Sequence, residues 1–413
     1  GAMAAARWEV AAGARDPGAR EALALRGFGG GAGAAAAAGV ALAGGAVGWA
    51  ALACRAVRGE PGGGGLRELG RHGGGVGGLA VAGGMGGGAA LASAGADGTV
   101  RLWDPRAASA QAGLLEAPGK APLFCVDCLP GGHLLAAGAH GAVHLFDRRG
   151  GPQAGLLGTI EDSFGDDVTQ LKFVEGTGEP QRLLAAGEDG ALSLFDTAEA
   201  LGGGEDEGLL GSFQGAPVRN LGTYGDGGAR IWWTTGNETL HLADWRGLLD
   251  HAAMELPEGH EHAEPIDFTN PRGQAGKAGK KAGEPALSLI DYLVGCVYDP
   301  QLGRLLLAAG ASGSLGLFPV SEEKKKLRQP AVVCAKHAPT DSPSRPQAHK
   351  AVVRGVEFLD VGASGAGALL TAGEDGAVAM WEPCSEGADA PGGGGGRERP
   401  DKSRSARRGA DPY

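Results

Sequence analysis

Aromatic residues make up only 5% of the 413 positions, and the chain has just six cysteines and four methionines. So few cysteines over this length build no disulfide framework. No leucine-, isoleucine- or valine-rich run reaches the roughly 18 residues a membrane span needs. Residues 28–54 come closest, but they are mostly glycine and alanine. No leader with a basic start and a leucine-rich centre is present, so we expect a reducing compartment, nucleus or cytoplasm, and no membrane partner. Despite 80 glycines there is no G-x-x-x-x-G-K-[ST] and no G-x-G-x-x-G between a strand and a helix. A nucleotide loop is therefore not expected, and neither is any cofactor. Basic residues are also in deficit, 37 against 48 acidic, for a net charge of −11. The stretch Arg397 to Tyr413 holds six basic and three acidic residues, net +3, leaving the body at −14. A body so charged repels phosphate backbones, which excludes it as a nucleic-acid partner.

Glycine and proline together are a quarter of the chain, yet 43% is hydrophobic and 21% charged, unlike a disordered composition. What fills the chain is a repeat. An apolar pair, small residues, a turn and alternating apolar residues end in an aromatic and an acid: Leu91 to Asp104, Leu134 to Asp147, Leu183 to Asp196 and Leu369 to Glu382. Weaker copies run from Trp232 to Asp244 and from Leu306 to Pro319, and a degenerate one from Ala38 to Leu52, making seven. The first closing positions, 104, 147, 196 and 244, are 43, 49 and 48 residues apart. A period in the forties with short strands is the arithmetic of a propeller. Within units, Asp97-Gly98, Asp189-Gly190 and Asp375-Gly376 supply the positive φ values of tight hairpin turns. Thr99 to Trp103 and Ala191 to Phe195 alternate as strands with one buried face, and helical periodicity is nearly absent.

These units, with Trp103-Asp104, resemble the WD40 repeat family. The resemblance implies an all-β fold, a single seven-bladed β-propeller over residues 1–384. Insertions are expected near 257–288 and 321–347, and a disordered basic tail at 385–413. Outer strands are expected at Gly113 to Glu116, Gly155 to Gly158, Gly208 to Phe213 and Ala331 to Cys334. None follows Trp381, so the fourth strand of the last blade should come from Ala5 to Val10, closing the ring and hiding a sheet edge. The function implied is a non-enzymatic protein-protein interaction scaffold, a monomeric ring binding other proteins.

Two repeats carry a complete polar set: His72, Ser93, Asp97 and Trp103 in one, His349, Thr371, Asp375 and Trp381 in the other. A carboxylate orienting an imidazole that bonds a hydroxyl, which accepts an indole N–H, satisfies every group. With tryptophan on the hydroxyl, this is a structural network and not a hydrolytic triad, and no catalytic residue is expected. Three other repeats have Phe146, Phe195 and Phe318 for the tryptophan and Ala136, Ala185 and Ala308 for the hydroxyl. These blades must hold by packing alone and should open more easily.

Candidate partner-binding residues fall in two groups. Trp103, Asp104 and Arg106 form a Trp-Asp-x-Arg motif of the kind that docks propellers on the adaptor of cullin-RING ubiquitin ligases, and Phe146-Asp147-Arg148-Arg149 nearly copies it, adding Arg149. Glu161, Asp162, Asp166 and Asp167 replace the usual histidine-bearing loop before the fourth repeat and suit a basic partner segment. Cys125 and Cys128, three apart on a strand, should diverge rather than bind a metal. His251, His260 and His262 with Glu258, Glu261 and Glu264 sit in a Pro-rich insertion read as a flexible partner loop, so no metal site is expected there. Glu322 to Arg328 and Arg399 to Arg408 are basic segments suited to nuclear import or simply to solubility.

Overall fold

The computed structural model describes residues 6–15, 22–28, 36–42, 44–52, 66–82, 91–107, 109–174, 181–203, 208–225, 228–248, 265–299, 302–311, 314–334, 349–359 and 368–383. Its compact unit runs to Pro383. The basic tail, the His251–Glu264 cluster and the outer part of the second insertion lie outside the described residues.

Seven antiparallel blades follow one another along the chain, the last two joined through β1 into one sheet. After β1 (Ala6–Arg15), blade 1 is β2 (Ala22–Phe28), β3 (Ala36–Leu42), β4 (Ala46–Leu52) and β5 (Arg67–Arg71). Blade 2 is β6 (Val76–Val81), β7 (Leu91–Gly95), β8 (Thr99–Trp103) and β9 (Gln111–Glu116). Blade 3 is β10 (Cys125–Cys128), β11 (Leu134–Ala139), β12 (Ala142–Asp147) and β13 (Leu156–Ile160). Blade 4 is β14 (Val168–Val174), β15 (Arg182–Gly187), β16 (Ala191–Asp196) and β17 (Leu209–Gln214), with a short helix α1 (Thr197–Gly202) before its last strand. Blade 5 is β18 (Val218–Tyr224), β19 (Arg230–Thr235), β20 (Leu240–Asp244) and β21 (Ile266–Phe268), followed by helix α2 (Pro271–Ala282). Blade 6 is β22 (Tyr292–Asp299), β23 (Arg304–Ala311), β24 (Ser314–Ser321) and β26 (Val332–Cys334), with β25 (Lys326–Leu327) hairpinned onto β24. Blade 7 is β27 (Val353–Leu359), β28 (Ala368–Gly373) and β29 (Ala377–Pro383), completed by β1.

The closing strand is longer than Ala5 to Val10 and does more than expected. Trp8 lies opposite Pro383 and Val10 opposite Trp381, and the antiparallel ladder continues to Arg15 opposite Ala377. On its other edge Ala6, Arg7 and Trp8 pair in parallel with Val332, Val333 and Cys334. One strand thus stitches blade 7 to blade 6.

The expectation of one buried face per strand needs correction. Every residue of β7, β16 and β28 is buried, because each blade is sandwiched between two others. In β8, Val100 and Leu102 pack toward blade 3 with Val126 and Leu135, while Trp103 packs toward blade 1 with Val47. Seven apolar clusters result among the described residues, one per blade interface; the ring-closing one joins Leu25 and Val40 to Leu370 and Met380. Each buried leucine contributes about 2 kcal/mol by leaving water. Glycine lets the wedges close: a Cβ on Gly70 would lie 2.6 Å from the Trp103 ring.

The first insertion is not simply a flexible loop. Residues 266–268 supply the outer strand of blade 5, and α2 is capped by the Asn270 side chain, which accepts from the Gly273 amide at 2.8 Å. Gly283 ends the helix at φ +78°. Ala275 and Ala278 pack with Leu287 against the fifth and sixth blades.

Candidate interaction rims

In a four-strand meander, the turn from second to third strand and the connection into the next blade emerge at the same end. His72, one residue past β5, is therefore carried beside the β7–β8 turn and bonds into it. Its Nδ1 lies 2.9 Å from Asp97 Oδ1 and its Nε2 2.7 Å from Ser93 Oγ, which also accepts the Trp103 indole N–H at 2.8 Å. Asp97 further accepts from the Gly73 amide at 2.7 Å and from Thr99 Oγ1 at 2.7 Å. Blade 7 repeats this. His349 bonds Asp375 at 3.0 Å and Thr371 at 2.7 Å, Trp381 donates to Thr371 at 2.8 Å, and the Lys350 amide donates to Asp375 at 2.8 Å. The geometry suits one proton order: indole to hydroxyl, hydroxyl to Nε2, Nδ1–H to carboxylate.

Burial holds His72 below its ordinary pKa, so the imidazole stays neutral. For Asp97 and Asp375 burial pushes upward. For Asp97 the Gly73 amide, His72 and Thr99 outweigh it; for Asp375 His349 and the Lys350 amide do. Both carboxyls end well below the usual range, Asp375 at about 2. Ser93 and Thr371 are 0% exposed, so neither hydroxyl can meet a substrate. Thr99 and the two backbone amides belong to the networks although sequence reasoning did not include them.

Blade 4 holds the same place with apolar groups, a substitution the sequence reading missed. Phe164 stands four residues before Val168, as His72 stands before Val76 and His349 before Val353. Its ring packs on Phe195 at 6.2 Å, over Ala185, while Asp189 still accepts from the Gly165 amide at 2.7 Å. In blade 6, Leu287 from the α2 insertion packs in the same cluster as Phe318. Blade 3 has Ala136 and Phe146 but Ala121 at the histidine position and His140 where blades 2, 4 and 7 have aspartate.

That His140 meets the acidic segment. Its Nδ1 lies 2.8 Å from Asp167 and 3.8 Å from Asp166, and a β-bridge ties the two loops across the blade boundary. Glu161 and Asp162 are exposed just upstream, Asp162 with φ +58°. Among the described residues this is the group that places three ligand-type atoms, from His140, Asp166 and Asp167, within 4.8 Å of one another. All three are solvent-accessible, and no buried polar group fixes them on an ion.

On the opposite rim, Arg106 forms two hydrogen bonds of 3.0 Å to Asp104, and Arg149 chelates Asp147 in the same way. Their hydrogen bonds lower the carboxyl pKa values, Asp147 to about 2. Trp103 is not a contact residue: it is 1% exposed, because its indole is spent inside blade 2. A third copy was missed in sequence. Arg246 pairs with Asp244 and lies 4.7 Å over the Trp245 ring, below blade 5. In blade 4 the equivalent Asp196 instead caps α1 and pairs with Arg182.

Cys125 and Cys128 are both buried and pack into different blade interfaces, and burial pushes both thiols upward. The central channel, about 770 Å³, is lined by first strands, including Gly78, Gly222 and Gly355, with Lys172 3.6 Å from buried Asp127.

A family model for the WD domain, G-beta repeat, matches residues 66–104, a window containing the whole first network. The chain is 28% identical over 298 residues to WD repeat-containing protein GTS1 of Arabidopsis thaliana. That match covers 71% of this chain and 66% of the relative, just under two thirds of its length. A chain in the crystal structure of the mitotic checkpoint complex aligns with a TM-score of 0.55 at 13% identity, covering 90% of each chain. At that identity the likeness is one of fold. The comparisons support the WD-repeat family and a seven-bladed propeller, and no catalytic family is among them.

Proposed function

We propose that this WD-repeat propeller is a non-enzymatic scaffold that binds a basic protein segment on the rim carrying Glu161, Asp162, Asp166 and Asp167. The cross-blade tie between His140 and Asp167 carries this reading, because it fixes an exposed acidic loop before any partner arrives. A fixed acidic rim steers a cationic segment and orders little on binding. The test is quantitative affinity purification with wild type against Glu161→Gln, Asp162→Asn, Asp166→Asn and Asp167→Asn combined. Loss of lysine- and arginine-rich partners is expected; an unchanged partner set would remove the idea.

A second reading is a cullin-RING ligase substrate receptor docking through Arg106 and Arg149. The repetition of exposed Asp–Arg pairs under blades 2, 3 and 5 favours it. Each guanidinium is already held by its own aspartate, so an adaptor carboxylate has to displace that partner. Equal adaptor recovery with wild type and Arg106→Ala would eliminate this reading. Within the family, Leu370 to Asp375, Asp166 to Phe173 and Ile290 to Tyr298 resemble WD repeat-containing protein 89, which fits a scaffold role in the nucleus or cytoplasm.

A further inference from the structure

Two basic segments far apart in sequence meet where the fifth and sixth blades join. Lys277, Lys280 and Lys281 lie on α2; Lys324, Lys325, Lys326 and Arg328 lie around β25. The Leu327 amide donates to Gln274 Oε1 at 3.0 Å, and Leu327 is buried with Ala275 and Ala278. Gln274, Lys277 and Lys281 follow helical spacing on one face, so both lysines flank β25. All seven cations are exposed, and among the described residues none is in an ion pair. The neighbouring Glu322 is engaged by Arg230 and Tyr224, and Arg272 at the helix start by Glu238. Beside the helix, Leu289 is 78% exposed, more than any other large hydrophobic residue described. Its neighbour Ser288 packs against Gly276, whose helix face also carries Lys280.

We propose that this patch docks an acidic protein segment, rich in Asp and Glu, that carries a bulky apolar side chain for Leu289. Exposed cations concentrated on a body of −14 form a local positive field that a polyanionic segment complements. A nucleic-acid strand or an anionic membrane extends well past the roughly 8 Å screening length, onto the acidic surface beyond the patch. A short acidic peptide ends within the patch, and an adjacent apolar side chain is something a phosphate backbone does not offer. This deepens the scaffold reading with a second site of opposite charge, independent of the acidic rim.

The test uses fluorescence anisotropy with a short synthetic Asp/Glu-rich peptide bearing one central leucine. Binding should weaken with added salt and be unaffected by neutralising Glu161, Asp162, Asp166 and Asp167. Lys277→Gln, Lys281→Gln and Lys325→Gln together should weaken it about tenfold, the yield of three exposed ion pairs. Leu289→Ser should weaken binding of this peptide but not of its leucine-to-serine analogue, a second readout independent of the lysines. Equal affinity of wild type and the triple variant would overturn the proposal. So would stronger competition by single-stranded oligouridylate, or by phosphatidylcholine–phosphatidylserine vesicles, than by unlabelled peptide. Retention of the acidic-peptide site while the acidic rim fails its own test, or the reverse, separates the two readings.

Discussion

Thr371→Val keeps the shape of the blade 7 side chain and removes the one atom on which the network turns. Two groups lose their partner at once, the Trp381 indole N–H and His349 Nε2, 2.8 and 2.7 Å from the hydroxyl. His349 is 0% and Trp381 1% exposed, so no water replaces it. An unsatisfied buried polar group costs roughly 1–3 kcal/mol, which puts the single substitution at about 2–5 kcal/mol. Blade 4 shows how to remove the same atoms cheaply. The triple change His349→Phe, Thr371→Ala, Trp381→Phe copies Phe164, Ala185 and Phe195 and leaves no orphan. Asp375 keeps the Lys350 and Ala377 amides at 2.8 and 3.2 Å, as Asp189 keeps Gly165 and Ala191 at 2.7 and 3.0 Å. What remains is a volume mismatch, worth about 1–2 kcal/mol. The triple variant should therefore be more stable than Thr371→Val alone, a large departure from additivity. Native-state hydrogen exchange of β28 amides, with denaturant midpoints, measures both. A triple variant less stable than the single would refute the view that unsatisfied polarity, and not packing, dominates this site.

Acid should destabilise the ring in two stages. His72 is held below its ordinary 6.5 by burial, so the unfolded chain binds a proton that the folded one refuses; that contribution is complete above pH 6.5 and shrinks below it. Asp375, at about 2 against 3.8, contributes about 2 kcal/mol at neutral pH, lost as pH falls from 3.8 through 2. Melting temperatures that hold or rise between pH 7 and pH 3 would contradict both signs. Deleting residues 1–15 bares the edges of β29 and β26 together, so the ring should self-associate in light scattering, and added peptide of residues 6–15 should reverse this. A truncated chain that stays monomeric and equally stable would show that β1 is dispensable. Blade 3, with Ala121 where blade 4 has Phe164 and with His144 Nε2 unsatisfied, should exchange its β11 amides faster than β7 and β28 exchange theirs.

The number of blades was legible because the repeat recurs seven times and three of its copies state their own turn. Asp97-Gly98, Asp189-Gly190 and Asp375-Gly376 need local backbone conformations that few residue pairs supply, with Gly98 at φ +72°. The two polar networks were legible because hydroxyl, aspartate and tryptophan keep fixed offsets within one hairpin, to which His72 and His349 are added from the loop before the blade's first strand. What escaped depends on contacts between distant segments. Phe164 could have been found by its offset of four from Val168, but its meaning comes from Phe195, in another strand of the sheet. Helix α2 carried its signals, Asn270, Pro271 and Gly283, yet its sequence has almost no apolar residue larger than alanine. A helix of glycine, alanine and lysine shows no stripe. It folds because Leu287, just before blade 6, and Leu327, from β25 within that blade, complete the surface it lacks.

The same distinction separates framework from recognition in this ring. Groups already bonded to one another in the interior, such as His349 with Thr371 and Asp375, are spent on holding a blade and leave nothing for a ligand. Groups that two segments bring together at the surface without satisfying each other are the ones available to a partner. Arg106 and Arg149 look like recognition residues in sequence but are each closed on the aspartate two positions back. The lysines around β25 look like a nuclear-import or solubilising run and those of α2 part of a flexible insertion, yet packing of Leu327 under the helix joins them in one patch. Partner chemistry in a propeller is thus read from the charge that assembly leaves unpaired, and the motif alone does not decide it.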